Sequence, residues 1–138
     1  MRKVIIDTNT LVSFVTDRNT NQQKKSAELF EEASRLKLMI LCHQNVVTEF
    51  VYVMEKIYKI RKEKIKEIIS DFVLMPGIEL VHEIDIKKVL QFWPTSVPDF
   101  GDALLAALCK TSKNSSIATF DRKFQNALKA LSLPIYSF

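Results

Sequence analysis

"KVIIDTNTLVSFV" (residues 3–15) is the stretch on which the fold turns. Val4, Ile5 and Ile6 form a short, β-branched apolar run that closes on an acid, Asp7. By length and composition it reads as a buried strand over 3–7. "TNTLVSFV" (8–15) follows at once and reads as a short helix that Thr8 or Asn9 can cap.

The same alternation continues along the chain. "DRNTNQQ" (17–23) reads as a polar loop, and "KSAELFEEASRL" (25–36) as a helix with Leu29, Phe30, Ala33 and Leu36 on one face. "LMILC" (38–42) is a second strand. Asn45 is placed to cap a long helix over 46–59. "KEKIKEIISDFVLM" (62–75) carries Ile65, Ile68, Ile69, Phe72 and Val73 at helical spacing, and Pro76-Gly77 ends it. "IELV" (78–81) is a third strand, 85–93 a helix that stops at Pro94, and Asp99 to Lys110 a further helix. "SIATF" (116–120) is a fourth strand, again followed by an acid, Asp121. A helix over 122–131 and an edge strand over 134–138 complete the chain. Strands alternating with helices predict an α/β fold: a three-layer α/β/α sandwich around a mostly parallel sheet of four to five strands, one domain over 1–138.

The bulk numbers fit one such domain. Of 138 residues, 47% are hydrophobic, enough to build a core, and 26% are charged, an ordinary value. No apolar run approaches the roughly 20 residues that span a bilayer, so no membrane is expected. The opening "MRKVIID" has too short an apolar run for an export signal, and the reading is cytoplasmic. Cys42 and Cys109 each end an apolar run, with no C-x-x-C and no adjacent histidine, and read as buried reduced thiols. His43 and His82 lack metal-ligand spacing, and His43 reads by default as a surface residue.

"PDFGDALLAALCK" (98–110) raises the functional question. Its second half reads as a buried helix, yet Asp99 and Asp102 stand at its head, three residues apart on one face. In open parallel sheets the working cleft lies beyond the carboxyl ends of the strands. Asp7 and Asp121 end strands there. A helix that precedes a parallel strand starts at that same rim, which brings Asp99 and Asp102 to it. Glu49, one turn into the helix after the second strand and set among apolar neighbours, joins them. Singly, Asp7 and Asp99 read equally well as helix caps, and Asp121 as the start of a turn. Glu49 and Asp102 interrupt apolar stretches, and the convergence of all five is the specific signal. That many carboxylates ionise together only with a cation among them. An all-oxygen donor set suits Mg²⁺ or Mn²⁺, and the chemistry it suits is phosphodiester hydrolysis.

"VIIDTNTLVSF", Glu49, "DFGDALLAALCK" and "IATFDRKF" resemble, in order, the four signature blocks of PIN-domain nucleases, most of all the small VapC-like toxins of toxin–antitoxin pairs. The resemblance covers essentially the whole chain. It implies a Mg²⁺- or Mn²⁺-dependent ribonuclease. Asp7, Glu49, Asp102 and Asp121 match the family's four acids, catalytic and metal-binding. Asp99 matches a nearby, less regular acidic position that adds to the metal set. Thr8 and Asn9 match the polar residues after the first acid, and Thr119 a hydroxyl residue that supports the last. The alternative is a PIN-fold scaffold that binds RNA or protein with little activity. The intact acid set favours the enzyme. Haloacid-dehalogenase phosphatases need an Asp where Asn9 stands, and response-regulator receivers need paired early acids and a late lysine.

The formal net charge is +4. With five of the 16 acids in the cleft, 11 acids face 20 basic residues elsewhere, about +9, a field suited to a polyanion such as RNA. "KIYKIRKEKIK" (56–66) is the densest basic run, with six Lys or Arg against one Glu, near Tyr52 and Tyr58. The default for most of those lysines is a solvated face. Val46, Val47, Phe50, Val51, Val53, Met54, Ile57 and Tyr58 exceed what one core face can take. That surplus predicts a partner: an antitoxin, a second copy making a homodimer through the helices around 46–75, or both. Trp93 extends such a surface or caps the core beneath its loop.

Overall fold

The computed structural model describes residues 1–138. Four strands, β1 (Lys3–Ile6), β2 (Met39–His43), β3 (Ile78–Val81) and β4 (Ser115–Ala118), form one sheet in the order β3-β2-β1-β4. Every pairing is parallel. Val4, Ile5 and Ile6 are fully buried, as a strand flanked by strands and covered on both faces requires. The fifth strand is reduced to a single bridge, Ile117 to Ile135. Ile117 N–H bonds Pro134 O and Tyr136 N–H bonds Ile117 O, while Pro134 brings no N–H of its own.

Helices α1 (Thr8–Val15) and α2 (Thr20–Ser34) join β1 to β2. Helix α3 (Gln44–Tyr52), a π-helical turn (Val53–Ile57) and α4 (Lys62–Val73) join β2 to β3. Helices α5 (Ile86–Phe92) and α6 (Phe100–Thr111) carry the chain across to β4, and α7 (Arg122–Ala130) follows it. Connections from β1 and β2 step one way along the sheet and those from β3 and β4 step the other. Right-handed crossovers then place α1–α4 on one face and α5–α7 on the other, the three-layer sandwich. Packing agrees: α1 meets α2 and α3, and α5 meets α6. Phe14 of α1 stacks on Phe30 of α2 at 4.0 Å between ring centroids. At Gly77, φ is +80° and a Cβ would stand 2.2 Å from Ala33 O, so the turn into β3 admits only glycine.

Some local expectations change. Helix α2 begins at Thr20, capped by Asn19 on Gln22 N–H, inside the segment read as loop; its exposed polar first turn carries no apolar signal. The cap of α3 is His43, not Asn45: His43 Nδ1 accepts from Asn45 N–H at 3.0 Å while Nε2 donates to Glu83 O at 2.9 Å. His43 is buried rather than on the surface. The long helix over 46–59 is broken by the π turn after Tyr52. Of its apolar residues, Val46, Phe50 and Met54 enter the core, Val47, Val51, Val53 and Tyr58 are half-buried, and Ile57 stands in solvent. Trp93 is partly exposed, bonds Pro98 O through Nε1 and sits edge-on to Phe100. Cys42 and Cys109 are buried and unpaired, and burial raises the Cys42 thiol to about 12. No helix is long and apolar enough to cross a membrane.

Candidate active site

The strand order puts β1 and β4 side by side, with Ile6 opposite Ala118. The connections leave these two strands in opposite directions, so the topological switch point lies between their carboxyl ends. Asp7 follows one strand and Asp121 comes shortly after the other. Helix α6 begins at the same rim with Asp99 and Asp102, and α3 carries Glu49 there. A cleft of about 420 Å³ is lined by Asp7, Thr8, Asn9, Glu49, Asp99, Asp102, Leu105 and Asp121. All five acids expected from the sequence share it. Thr119 lies just beneath, fully buried.

Three of the acids cap helices. Asp7 Oδ1 accepts from Thr10 N–H at 2.9 Å and caps α1. Asp99 Oδ1 accepts from Asp102 N–H at 2.9 Å and caps α6. Asp121 Oδ1 accepts from Lys123 N–H at 2.9 Å and caps α7. The cap and the cleft are therefore two uses of one side chain. In each, Oδ1 is fixed by the helix; Oδ2 of Asp99 and of Asp121 makes no hydrogen bond within the protein, while the Asp7 carboxyl also meets the Thr119 hydroxyl. Each cap also aims a helix N-terminus at the cleft, and its partial positive charge stabilises a carboxylate by about 0.3–1 kcal/mol.

Glu49 is held differently. Its Oε1 accepts from the Thr8 hydroxyl at 2.7 Å, which ties α3 to the first residue of α1. Its carboxylate lies against the Cα of Gly101, where a Cβ would stand 3.0 Å from Oε2 and 3.2 Å from Oε1. The Thr119 hydroxyl accepts from Asp121 N–H at 3.1 Å and also faces the Asp7 carboxyl. Asn9 does not reach an acid: its Oδ1 accepts from the Arg18 guanidinium.

The electrostatics follow from burial and crowding. Asp7 is buried, and desolvation raises its carboxyl above the ordinary range, with Asp121 adding repulsion. Hydrogen bonds from Thr119 and Thr10 oppose that rise. Asp102 is pushed up to about 7, first by desolvation and then by the charges of Asp99, Asp7, Asp121 and Glu49. It is the one aspartate of the four that caps nothing. The donor set is all oxygen and short of positive charge, which fits a hard divalent cation. No three carboxylates converge to ligand spacing. The repulsion that raises Asp102 also favours side-chain positions that keep the oxygens apart.

Two residues at this site escaped the sequence reading. Thr10 sits at the third position of the helix that Asp7 caps, and its hydroxyl lies 2.7 Å from Asp7 Oδ1 and 2.9 Å from Ala118 O. The signal was the spacing, since the third residue of an Asp-capped helix faces the cap. Gly101 is one of only two glycines in the chain and lies inside a helix, where glycine is unfavourable.

The comparisons with known proteins agree with this architecture. Among curated proteins none matches the chain. Among solved structures, VapBC2 from Rickettsia felis bound to a DNA fragment from its promoter superposes with a TM-score of 0.65 at 15% identity, over 97% of both chains. The PIN domain endonuclease Utp24 superposes with a TM-score of 0.53 at 19% identity, over 92% of this chain and 77% of that one. At such identities the likeness is one of fold. The sequence itself matches the PIN domain model over residues 4–129, from the first buried residue of β1 to the last turn of α7, and the chain belongs to the PIN-domain family.

Proposed function

We propose that this protein is a divalent-metal-dependent ribonuclease, cytoplasmic, and the toxin of a toxin–antitoxin pair. One observation carries the reading: five carboxylates from four segments line one cleft at the switch point, where burial first and then their mutual repulsion push Asp102 up to about 7. A protein that only binds a partner has no use for such mutual repulsion. PIN nucleases generally use divalent ions, and Mg²⁺ or Mn²⁺ suits these donors.

Asp7, Glu49, Asp102 and Asp121 would hold the ion, with Asp99 at the edge. Bound there, a divalent cation supplies charge for the phosphate and lowers the pKa of water for attack. The protein's own groups do the rest. The caps fix Asp7, Asp99 and Asp121 before any ligand arrives, so little ordering is left to be done. Thr8 fixes Glu49, and Thr119 steadies both Asp7 and Asp121. Asp102, close to half-protonated at neutral pH, can yield its proton when a cation joins the cluster.

The likeness to a VapBC complex supports an antitoxin partner. A homodimer is expected as well. Ile86 and Leu90 of α5 and Trp93 just after it are exposed at helical spacing, so we place the dimer face there rather than on the helices around 46–75.

The test is cleavage of total RNA with Mg²⁺ or Mn²⁺, and again with EDTA. The wild type should cleave only with metal. Asp7→Asn should be inactive while its circular dichroism matches wild type. Cleavage that survives EDTA, or full turnover by Asp7→Asn, would sink the mechanism. A folded wild type without activity would leave the binding scaffold as the better reading.

A further inference from the structure

A second groove, of about 530 Å³, runs on from the carboxylate cleft, and Thr8, Asn9 and Glu49 line both. Beyond those shared residues its walls include Arg18, Tyr52, Ile57 and Tyr58. Its cation, Arg18, forms no ion pair, and the ring of Tyr52 stacks on no other ring.

Arg18 is exposed and forms no salt bridge, although the carboxylate cleft adjoins it. A guanidinium beside so many acids ordinarily folds onto one of them. Here it donates to the neutral amide of Asn9, which leaves most of its five N–H donors for an anion. Tyr52 ends α3 with 63% of its surface exposed and stacks on no other ring. The π turn Val53–Ile57 follows, a helix irregularity often found at functional sites. It carries Ile57, 64% exposed, into the same groove. Just after it, Lys59 and Arg61 are exposed and unpaired, whereas Lys56 and Lys62 lean on Glu55.

The groove thus joins an acidic centre to an exposed aromatic face with a guanidinium in its wall. An apolar peptide would match Tyr52 and Ile57 but leave Arg18 unanswered. A single-stranded polynucleotide matches both features, since its bases stack on aromatic rings and its phosphates meet the cation. We propose that this groove binds the nucleotide next to the scissile phosphodiester of single-stranded RNA, its base on Tyr52 and its phosphate on Arg18. Asn9 positions Arg18, and so contributes through that guanidinium and not as a metal ligand. The inference rests on the ribonuclease reading and adds to it a recognition subsite made by Tyr52 and Arg18.

The test measures binding and cleavage separately. Fluorescence anisotropy follows a short labelled oligouridylate, and an abasic version of it, with Ca²⁺ as the cation. Single-turnover cleavage is read with Mg²⁺. Tyr52→Ala should weaken binding of the oligouridylate by about fivefold to a hundredfold, the range for one base–aromatic stack. Tyr52→Phe should bind like wild type, and the abasic strand should lose most of the dependence on Tyr52. Arg18→Ala should flatten the slope of log K against log salt by about 0.7, one single-strand phosphate contact. Both substituted residues are exposed, so melting temperatures should not move. If wild type cleaves RNA and both variants bind and cleave as it does, the groove serves another occupant, such as a protein segment, and the proposal is overturned. If Tyr52→Ala weakens the abasic strand equally, base stacking is overturned. If wild type neither binds nor cleaves RNA with metal, the ribonuclease reading falls first.

Discussion

Replacing Asp102 by Asn should make the metal-free protein more stable at neutral and alkaline pH, although it removes a charged group from a helix N-terminus. The Asp102 carboxyl titrates at about 7 in the folded protein, against an ordinary value of 3.8. Below about pH 4 the carboxyl is protonated in both folded and unfolded states and has no effect on stability. As pH rises, the unfolded chain ionises first and the folded protein keeps its proton, so stability falls. The loss is complete above about pH 7, where the folded group ionises too. Taken at face value a shift of this size is about 4 kcal/mol. Asp102 is only half-buried, and solvent screening reduces this to about 2 kcal/mol. For a domain of 138 residues that is about 7 °C in melting temperature.

The assay is a set of thermal melts of wild type and Asp102→Asn from pH 4 to pH 8 in EDTA, at fixed ionic strength. The two curves should nearly coincide at pH 4. The variant should melt above wild type by several degrees at pH 8. Saturating Mg²⁺ should then lift the wild type, by about 2.7 kcal/mol at a hundred times the dissociation constant, and lift the variant much less. Asp102→Asn melting several degrees below wild type at pH 8, with no wild-type response to metal, would mean that Asp102 serves the helix and not a cation.

Other substitutions separate position from stability. Gly101→Ala places a methyl group 3.0–3.3 Å from the oxygens of Glu49 and Asp99. The side-chain ends can give way, so the melting temperature should hold or rise, by up to about 1 kcal/mol of helix propensity, while cleavage falls about tenfold. Unchanged activity would remove Gly101 from the site. Thr10→Val keeps the shape but leaves Asp7 Oδ1 and Ala118 O without the hydroxyl. Urea denaturation should show a loss of about 1–3 kcal/mol, and no loss would mean that neither oxygen depends on it. Leu90→Glu should turn a dimer into a monomer in sedimentation. A wild type that is monomeric at high micromolar concentration contradicts the dimer altogether.

The sequence was most legible where one residue type does one thing. The apolar run of β1 with Asp7 at its end told both the strand and its rim. The alternation of strands and helices told the parallel sheet, and the sheet told where five acids from four segments must meet. It was less legible where chemistry is shared among residue types. His43 caps α3 ahead of Asn45 because its ring nitrogen serves as well as an amide oxygen, and its other nitrogen gains Glu83 O, a contact made 40 residues away. Helix α2 starts early because Asn19 caps it, although "TNQQ" has no apolar face. The π turn after Tyr52 has no composition of its own. The dual use of Asp7, Asp99 and Asp121 was half visible. In the sequence, capping and lining the cleft read as rival roles; the structure uses Oδ1 of each for the cap and leaves Oδ2 of Asp99 and Asp121 without a partner in the protein.

The central claim is that these carboxylates repel one another until a cation joins them. Calorimetric titration of Mn²⁺ into the metal-free protein at pH 7, in two buffers of different ionisation enthalpy, tests it most directly. The account predicts saturable binding with release of about half a proton per site, because Asp102, at about 7, gives up its share as the cation enters. Asp102→Asn should bind more weakly and release none. Saturable binding without proton release would put the cation away from Asp102. Heats that never saturate in the wild type would contradict the metal centre itself.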